Sequence, residues 1–289
     1  MSAARENLRT MVRGAYDIQS LRISMGNRIV GNFKVKLGQT PGVTEEDGLD
    51  ADSKAILSDL RKTYDKITDG VKSFPRQKSF KGSGIISSFT ELCLVAQYLD
   101  LERDENSHFR RLEMVLRDFP IYNEFLEGVR GCGAAMSGVI ISEIDIRKSE
   151  YPSSVHKYAG LDVAADGRGR SRKAEHLVLV EYTDKQGETK ERNSITFNPW
   201  LKTKLYVLAT CFIKSGSPYR EVYDNYKHRL EHMPAHADKS KGHRHAMAMR
   251  YMIKKFLTDL YAKWRELEGL PVATPYSEGK LGIIHKIAA

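Results

Sequence analysis

Long apolar runs, cysteines and acidic residues are what this chain has little of. No stretch approaches the roughly 18 consecutive apolar residues that a membrane helix needs, so no membrane span and no membrane partner are expected. Cysteine occurs only at Cys93, Cys132 and Cys211, an odd and scattered set that argues against a disulfide framework or a Cys-rich zinc site. Met1 is followed by Ser-Ala-Ala-Arg-Glu-Asn, without the apolar core of a secretion signal, so the expected location is the cytoplasm.

The shortage of acid says the most. Lys and Arg number 46 against 37 Asp and Glu, a formal net charge of +9 over 289 residues. Neutralising phosphates releases condensed counterions and gives affinity whatever the sequence read. Polyanions are therefore the partners expected, and charge alone does not separate DNA, RNA and acidic membranes; an ordinary solvated basic face is the alternative. Between Leu201 and Arg265 there are fourteen Lys or Arg against five Asp or Glu, which places the excess in the C-terminal half.

Periodicity predicts helices. Residues 3 to 37 lack proline and space Leu8, Met11, Val12, Ala15, Ile18, Met25, Ile29 and Phe33 as one long helix, open to interruption near Gly26 and Gly31. "GQTPGVTEEDGLD" is turn chemistry, and Ile56, Leu60, Tyr64, Ile67 and Val71 then share a helix face. Two further helices are expected in "IISSFTELCLVAQYLDL" and "ENSHFRRLEMVLRDF". In "FLEGVRGCGAAMSGVIISEI", Gly131 and Gly133 separate two helical stretches, the pattern of a helix-hairpin-helix. Such a hairpin can offer main-chain amides to a nucleic-acid backbone, with Arg130 beside them. A plain tight turn between packed helices is the competing reading.

Downstream come Tyr158-Ala159-Gly160-Leu161, then "ADGRGRSRKAEH" with Arg168, Arg170, Arg172 and Lys173. Two helical blocks follow, in the order Leu-Lys, Ser-Pro-Tyr, Tyr-x-x-Tyr-Lys, His-x-x-Ala, Met-x-x-Tyr. This ordered set, over about residues 109 to 265, resembles the C-terminal Tnp domain of the DEDD class of insertion-sequence transposases, the recombinases guided by a bridge RNA. The resemblance implies a helical DNA-binding domain, contacts through Lys202 and Lys204 as well as the loop cations, and a serine nucleophile in the basic loop. The chain departs from that family in two places. It begins on a long helix instead of a strand bearing a catalytic aspartate, and where the family has its Ser-Gly pair it reads Asp166-Gly167. Ser171 is the nearest serine and so the candidate nucleophile, among cations able to stabilise a phosphoryl transition state; an ordinary serine in a phosphate-binding loop is the alternative.

Three smaller features stand beside these. "HLVLVEYTDKQGETKERNSITFN" alternates and turns at Asp184 to Gly187 as a β-hairpin, either an added grip through Lys185, Lys190 and Arg192 or a cover for the helical core. His228, His232 and His236 have zinc-ligand spacing but no completing carboxylate or cysteine, so no metal site is expected. Tyr206, Tyr219, Tyr223 and Tyr226 interleave with basic residues, fit for base stacking or for core packing.

The fold class expected is mainly α. A helical region over 1–108 is suited to coiled-coil dimerisation, a Tnp-like domain over 109–268 carries a helix-hairpin-helix and a β-hairpin at about 176–198, and 269–289 is a tail. The expected function is binding of duplex or branched DNA, as a non-catalytic transposase derivative. The alternatives are an active serine-type recombinase or transposase performing strand exchange, and a helical partner-docking protein. A homo-oligomer is expected; magnesium is the cofactor if Ser171 is catalytic, and no other cofactor is implied.

Overall fold

The computed structural model describes residues 3–40, 50–70 and 73–274. Most of the expected turn at 38–50, Val71 of the expected second helix face and the tail beyond Thr274 lie outside them. The protein is mainly α-helical with one small antiparallel hairpin. Its eight α-helices among the described residues are α1 (Ala3–Lys36), α2 (Ala51–Thr68), α3 (Phe89–Leu116), α4 (Ala134–Glu143), α5 (Pro152–Tyr158), α6 (Pro199–Ser215), α7 (Pro218–His232) and α8 (Lys241–Leu267). Strands β1 (Val178–Thr183) and β2 (Thr189–Ser194) form the hairpin.

Residues Thr10–Arg111 make one compact unit. Its core is built from Met25, Ile29 and Phe33 of α1, Ile56 and Leu60 of α2, Ile86, and Leu92, Val95 and Tyr98 of α3. Neither Gly26 nor Gly31 interrupts α1. A Cβ on Gly26 would stand 3.1 Å from the Tyr98 ring, so this glycine serves helix packing. The two helices expected over 85–119 are a single α3, because Glu105 in its polar middle turns inward to Arg22 and Gln19 of α1.

Residues up to Arg9, together with those from Leu112 onward, make the other unit. The first turns of α1 belong to it through two ion pairs: Arg5 with Asp145 at 3.2 Å, and Arg9 with Glu143 at 3.1 and 3.4 Å. Glu143 is fully buried, so its charge requires such a partner. Asn198 also donates to Glu143 and to the Tyr158 hydroxyl, while its own carbonyl oxygen caps α6 by accepting from the Leu201 amide at 3.0 Å. A cap of this kind contributes about 1 kcal/mol. Here it also fixes where the chain leaves α5 and enters α6. Pro199 and Pro218 occupy first turns of α6 and α7, and Gly216 (φ 65°) ends α6 in the left-handed region.

Around α8 the aromatic core closes. Phe256 meets Phe125, Phe212 and Tyr219, and the Tyr219 hydroxyl donates to Asp259. Tyr219 and Tyr223 are buried, and Tyr226 stacks on Tyr251 at 4.1 Å, so these three rings are engaged with protein partners. The β-ribbon pairs Val178 with Ser194 and Thr183 with Thr189, turning at Gly187 (φ 86°). It does not cover the core: every residue of both strands is exposed except the half-buried Ser194, with Leu179 at 61%.

Candidate functional site

The expected helix-hairpin-helix takes a different form. Its first arm is a short π-helical turn, Tyr122–Leu126, followed by tight turns, and only α4 is a regular helix. Gly131 has φ 92°, and a Cβ there would stand 2.7 Å from Ser215 Oγ and 3.2 Å from both the Cys211 carbonyl and the Phe212 ring. Its bare α-carbon therefore faces α6. Gly133 is exposed with open space around it at the start of α4, and Arg130 is exposed as well.

The loop between α5 and the ribbon is more organised than its composition suggests. Gly160 (φ 65°) passes so close to Phe197 that a Cβ would stand 2.5 Å from the ring. Beyond it the chain folds back on itself: Val163 bridges Gly169, the Ala164 amide donates to Arg168 O, and the Arg170 amide donates to Asp162 O. Gly167 (φ 75°) makes the tip. The hairpin leaves Arg168, Arg172 and Lys173 exposed, while Arg170 is held by Asp162 at 2.8 and 3.1 Å.

Ser171 follows at once, and a short turn at Ala174–His176 brings His176 beneath it. His176 Nδ1 lies 2.8 Å from Ser171 Oγ and 3.0 Å from the Ser171 amide nitrogen; Nε2 lies 3.2 Å from Asp166 Oδ2. A main-chain N–H can only donate, so Nδ1 is the acceptor and Nε2 carries the proton donated to Asp166. Ser171, His176 and Asp166 thus form a hydroxyl–imidazole–carboxylate chain. The imidazole is 3% exposed and Asp166 37%. The Arg168 amide, then His176, hold the Asp166 carboxyl below its ordinary range, so it stays ionised. Such a chain matches the logic of an activated nucleophile: a base within reach of the hydroxyl and a third group orienting the base.

Lys202 donates to the Arg170 carbonyl and stands 4.9 Å from the Phe197 ring centre. Lys204 sits over Trp200 at 5.8 Å, turned to another part of α6. The site thus gathers Arg168, Arg170, Ser171, Arg172, Lys173 and Lys202 on one loop and the helix behind it. Arg130, Gly131 and Gly133 lie on the separate turn before α4. Sequence reasoning missed His176 and Asp166 as partners of Ser171. They stand five residues to either side of it, a separation that in an irregular loop signals no contact. Among the described residues no group of three His, Cys, Asp or Glu is arranged to hold a metal ion.

Behind the loop, His156 of α5 is half-buried against α8, its Nε2 3.1 Å from the Lys254 carbonyl and 3.3 Å from Thr258 Oγ1. Burial, then the neighbouring Lys254 charge, lowers its pKa to about 4 from 6.5. Between those values the unfolded chain binds a proton that the native protein refuses, so native stability falls as pH drops through this window. At about 1.4 kcal/mol per pH unit the loss reaches roughly 3 kcal/mol. His156→Gln, which keeps a donor but cannot titrate, is expected to flatten the stability slope between pH 6.5 and 4 in denaturant titrations.

Comparison with family models, with curated proteins and with solved structures finds no match to this chain.

Proposed function

We propose that this protein binds the phosphate backbone of DNA at the loop Asp162–His176 and that Ser171 is its nucleophile for strand cleavage and rejoining. One observation carries the reading: Ser171 Oγ is hydrogen-bonded to a neutral His176 that Asp166 orients, in a loop bearing Arg168, Arg172 and Lys173. His176 Nδ1 takes the hydroxyl proton as Oγ attacks phosphorus. A Ser–O–P bond forms, one P–O bond of the strand breaks, and the leaving oxygen is protonated from solvent while the His176 imidazolium gives its proton up to solvent, so no net proton is gained or lost. The loop cations meet the negative charge that spreads over the phosphoryl oxygens. Attack on the phosphoserine link by another strand's hydroxyl reverses these steps, regenerates Ser171 and completes an exchange.

The test is incubation of the purified chain with labelled duplex and four-way-junction DNA in magnesium buffer, followed by denaturing electrophoresis. The expected result is DNA bound covalently to protein. Binding should weaken with salt: three loop cations released from phosphates predict a loss of about 40-fold in affinity between 50 and 200 mM salt. Salt-insensitive binding would sink the backbone contact, and intact, protein-free strands would sink the nucleophile.

A second reading has its own support. Nδ1 also accepts the Ser171 main-chain N–H at 3.0 Å, which fastens the loop. On this reading His176 is a structural clasp, and the protein is a non-catalytic DNA-binding relative of the recombinases it resembles.

A further inference from the structure

One residue before Ser171, the fold brings cations from α6 and α8 against the loop that carries Asp162 and Arg170. Asp162 Oδ2 accepts both Nε and Nη2 of Arg170. Arg250 reaches in from α8 and lies against the loop, its Nη1 in the space that a Cβ on Gly169 would take. Lys202, from α6, donates to the carbonyl of Arg170, the next residue along. Lys254 lies one helical turn beyond Arg250 on the same face of α8, and Tyr206 one turn beyond Lys202 on α6. All four cationic side chains are half-buried.

The charges do not balance. Asp162 is the only acid that raises the Lys202 or Lys254 pKa, and Arg170 already occupies one of its oxygens. Neither lysine nor Arg250 has a carboxylate within ion-pairing distance among the described residues. Burial, then the charge of Arg250, holds both lysines below the ordinary lysine value. Half-buried like charges without a counter-ion cost stability, and a tetrahedral anion between a loop and two helices would relieve all of them together.

We infer that Arg170, Lys202, Arg250 and Lys254 form a phosphate subsite, which seats a phosphate group of the nucleic-acid backbone next to Ser171. The cluster stands on its own geometry. Only the source of the phosphate rests on the nucleic-acid reading of the loop. A phosphate fits better than a carboxylate because its oxygens point in enough directions to meet donors from α6, from α8 and from the Arg170 Nη1 that Asp162 does not engage. Arg250 supplies the planar fork, and the lysines supply point charges that adjust to it.

The experiment is thermal unfolding of the full chain at pH 8 in inorganic phosphate against chloride at matched ionic strength, then binding of a short phosphodiester oligonucleotide. Phosphate should raise the unfolding temperature of the unaltered protein in a saturable way, as a ligand of the native state does. Lys254→Met, which removes a half-buried charge but no recorded hydrogen bond of that side chain, should keep or raise the unfolding temperature in chloride. That variant and Arg250→Gln should each weaken phosphate and oligonucleotide binding by about tenfold, the change equivalent to losing one well-placed charge contact. Ser171→Ala should retain the full phosphate effect whether or not the unaltered protein cuts DNA, so the subsite and the nucleophile fail separately. Absence of a saturable phosphate effect overturns the inference. So does a Lys254→Met protein that is less stable in chloride yet responds to phosphate as before. A phosphate effect lost in the variants while oligonucleotide affinity is unchanged makes this a site for free phosphate and overturns the backbone assignment.

Discussion

Gly131→Ala is expected to lower the unfolding free energy by about 2–5 kcal/mol, the sum of a left-handed backbone cost and an overpacked contact. Both causes are local and visible. The residue sits at φ 92°, and the new methyl would stand 2.7 Å from Ser215 Oγ and 3.2 Å from the Cys211 carbonyl. The serine hydroxyl can turn aside, but the α6 backbone cannot move without disturbing Phe212, which packs on Phe256 at the centre of the unit. Gly133→Ala two residues on is the control. Its φ is −74°, a Cβ meets nothing within 4 Å, and stability should change little. Equilibrium denaturation of both variants gives the answer. Were the two glycines a matched pair for phosphate approach, the substitutions would behave alike and act on DNA affinity instead; equal, small stability effects would remove the packing role assigned to Gly131.

Ser171→Ala should abolish the covalent protein–DNA species while leaving DNA affinity within about threefold, since it removes the attacking oxygen and no charge. His176→Asn separates the two readings of the loop. Asparagine places an acceptor near the position of Nδ1, so the Ser171 amide keeps its partner, but it cannot take up the hydroxyl proton. If His176 is the base, the rate of adduct formation falls by roughly 10²–10⁴-fold, the usual worth of a positioned base. DNA binding and the melting temperature should stay close to those of the unaltered protein. An adduct that forms at an undiminished rate makes His176 a clasp. Asp166→Asn should give an intermediate loss, because His176 is then held by a weaker, neutral partner.

The helices were legible because their apolar spacing is strong. Ile56 and Leu60 in α2 show it, as do Met252, Phe256 and Leu260 in α8, and all five are buried. The polar middle of α3 was misleading, since "LERDENS" reads as a break until Glu105 is seen to turn inward to Arg22. Gly131 was visible as a special position, but its reason lies on α6, about eighty residues away, and no local pattern records a contact at that range. Loop chemistry divided in the same way. Ser171 and its cations are contiguous and were found. Asp166 was read only as the residue standing in place of a serine, because a loop has no period from which to deduce that it and His176 meet. Arg250 and Lys254 come from α8 and enter the site only through the tertiary fold.

The exposed β-ribbon has a consequence for local stability. Its twelve strand residues bury almost nothing, and its pairings are all with each other. A lone two-stranded hairpin is marginal in water, so opening it breaks a few ladder bonds and leaves the aromatic core around Phe256 intact. Amide protons of Val178–Ser194 should therefore exchange through fluctuations of low free energy, while those of α8 wait for global unfolding. The ribbon is thus a separately melting piece inserted in a cooperative helical unit, joined to it within two residues of the His176 that holds Ser171.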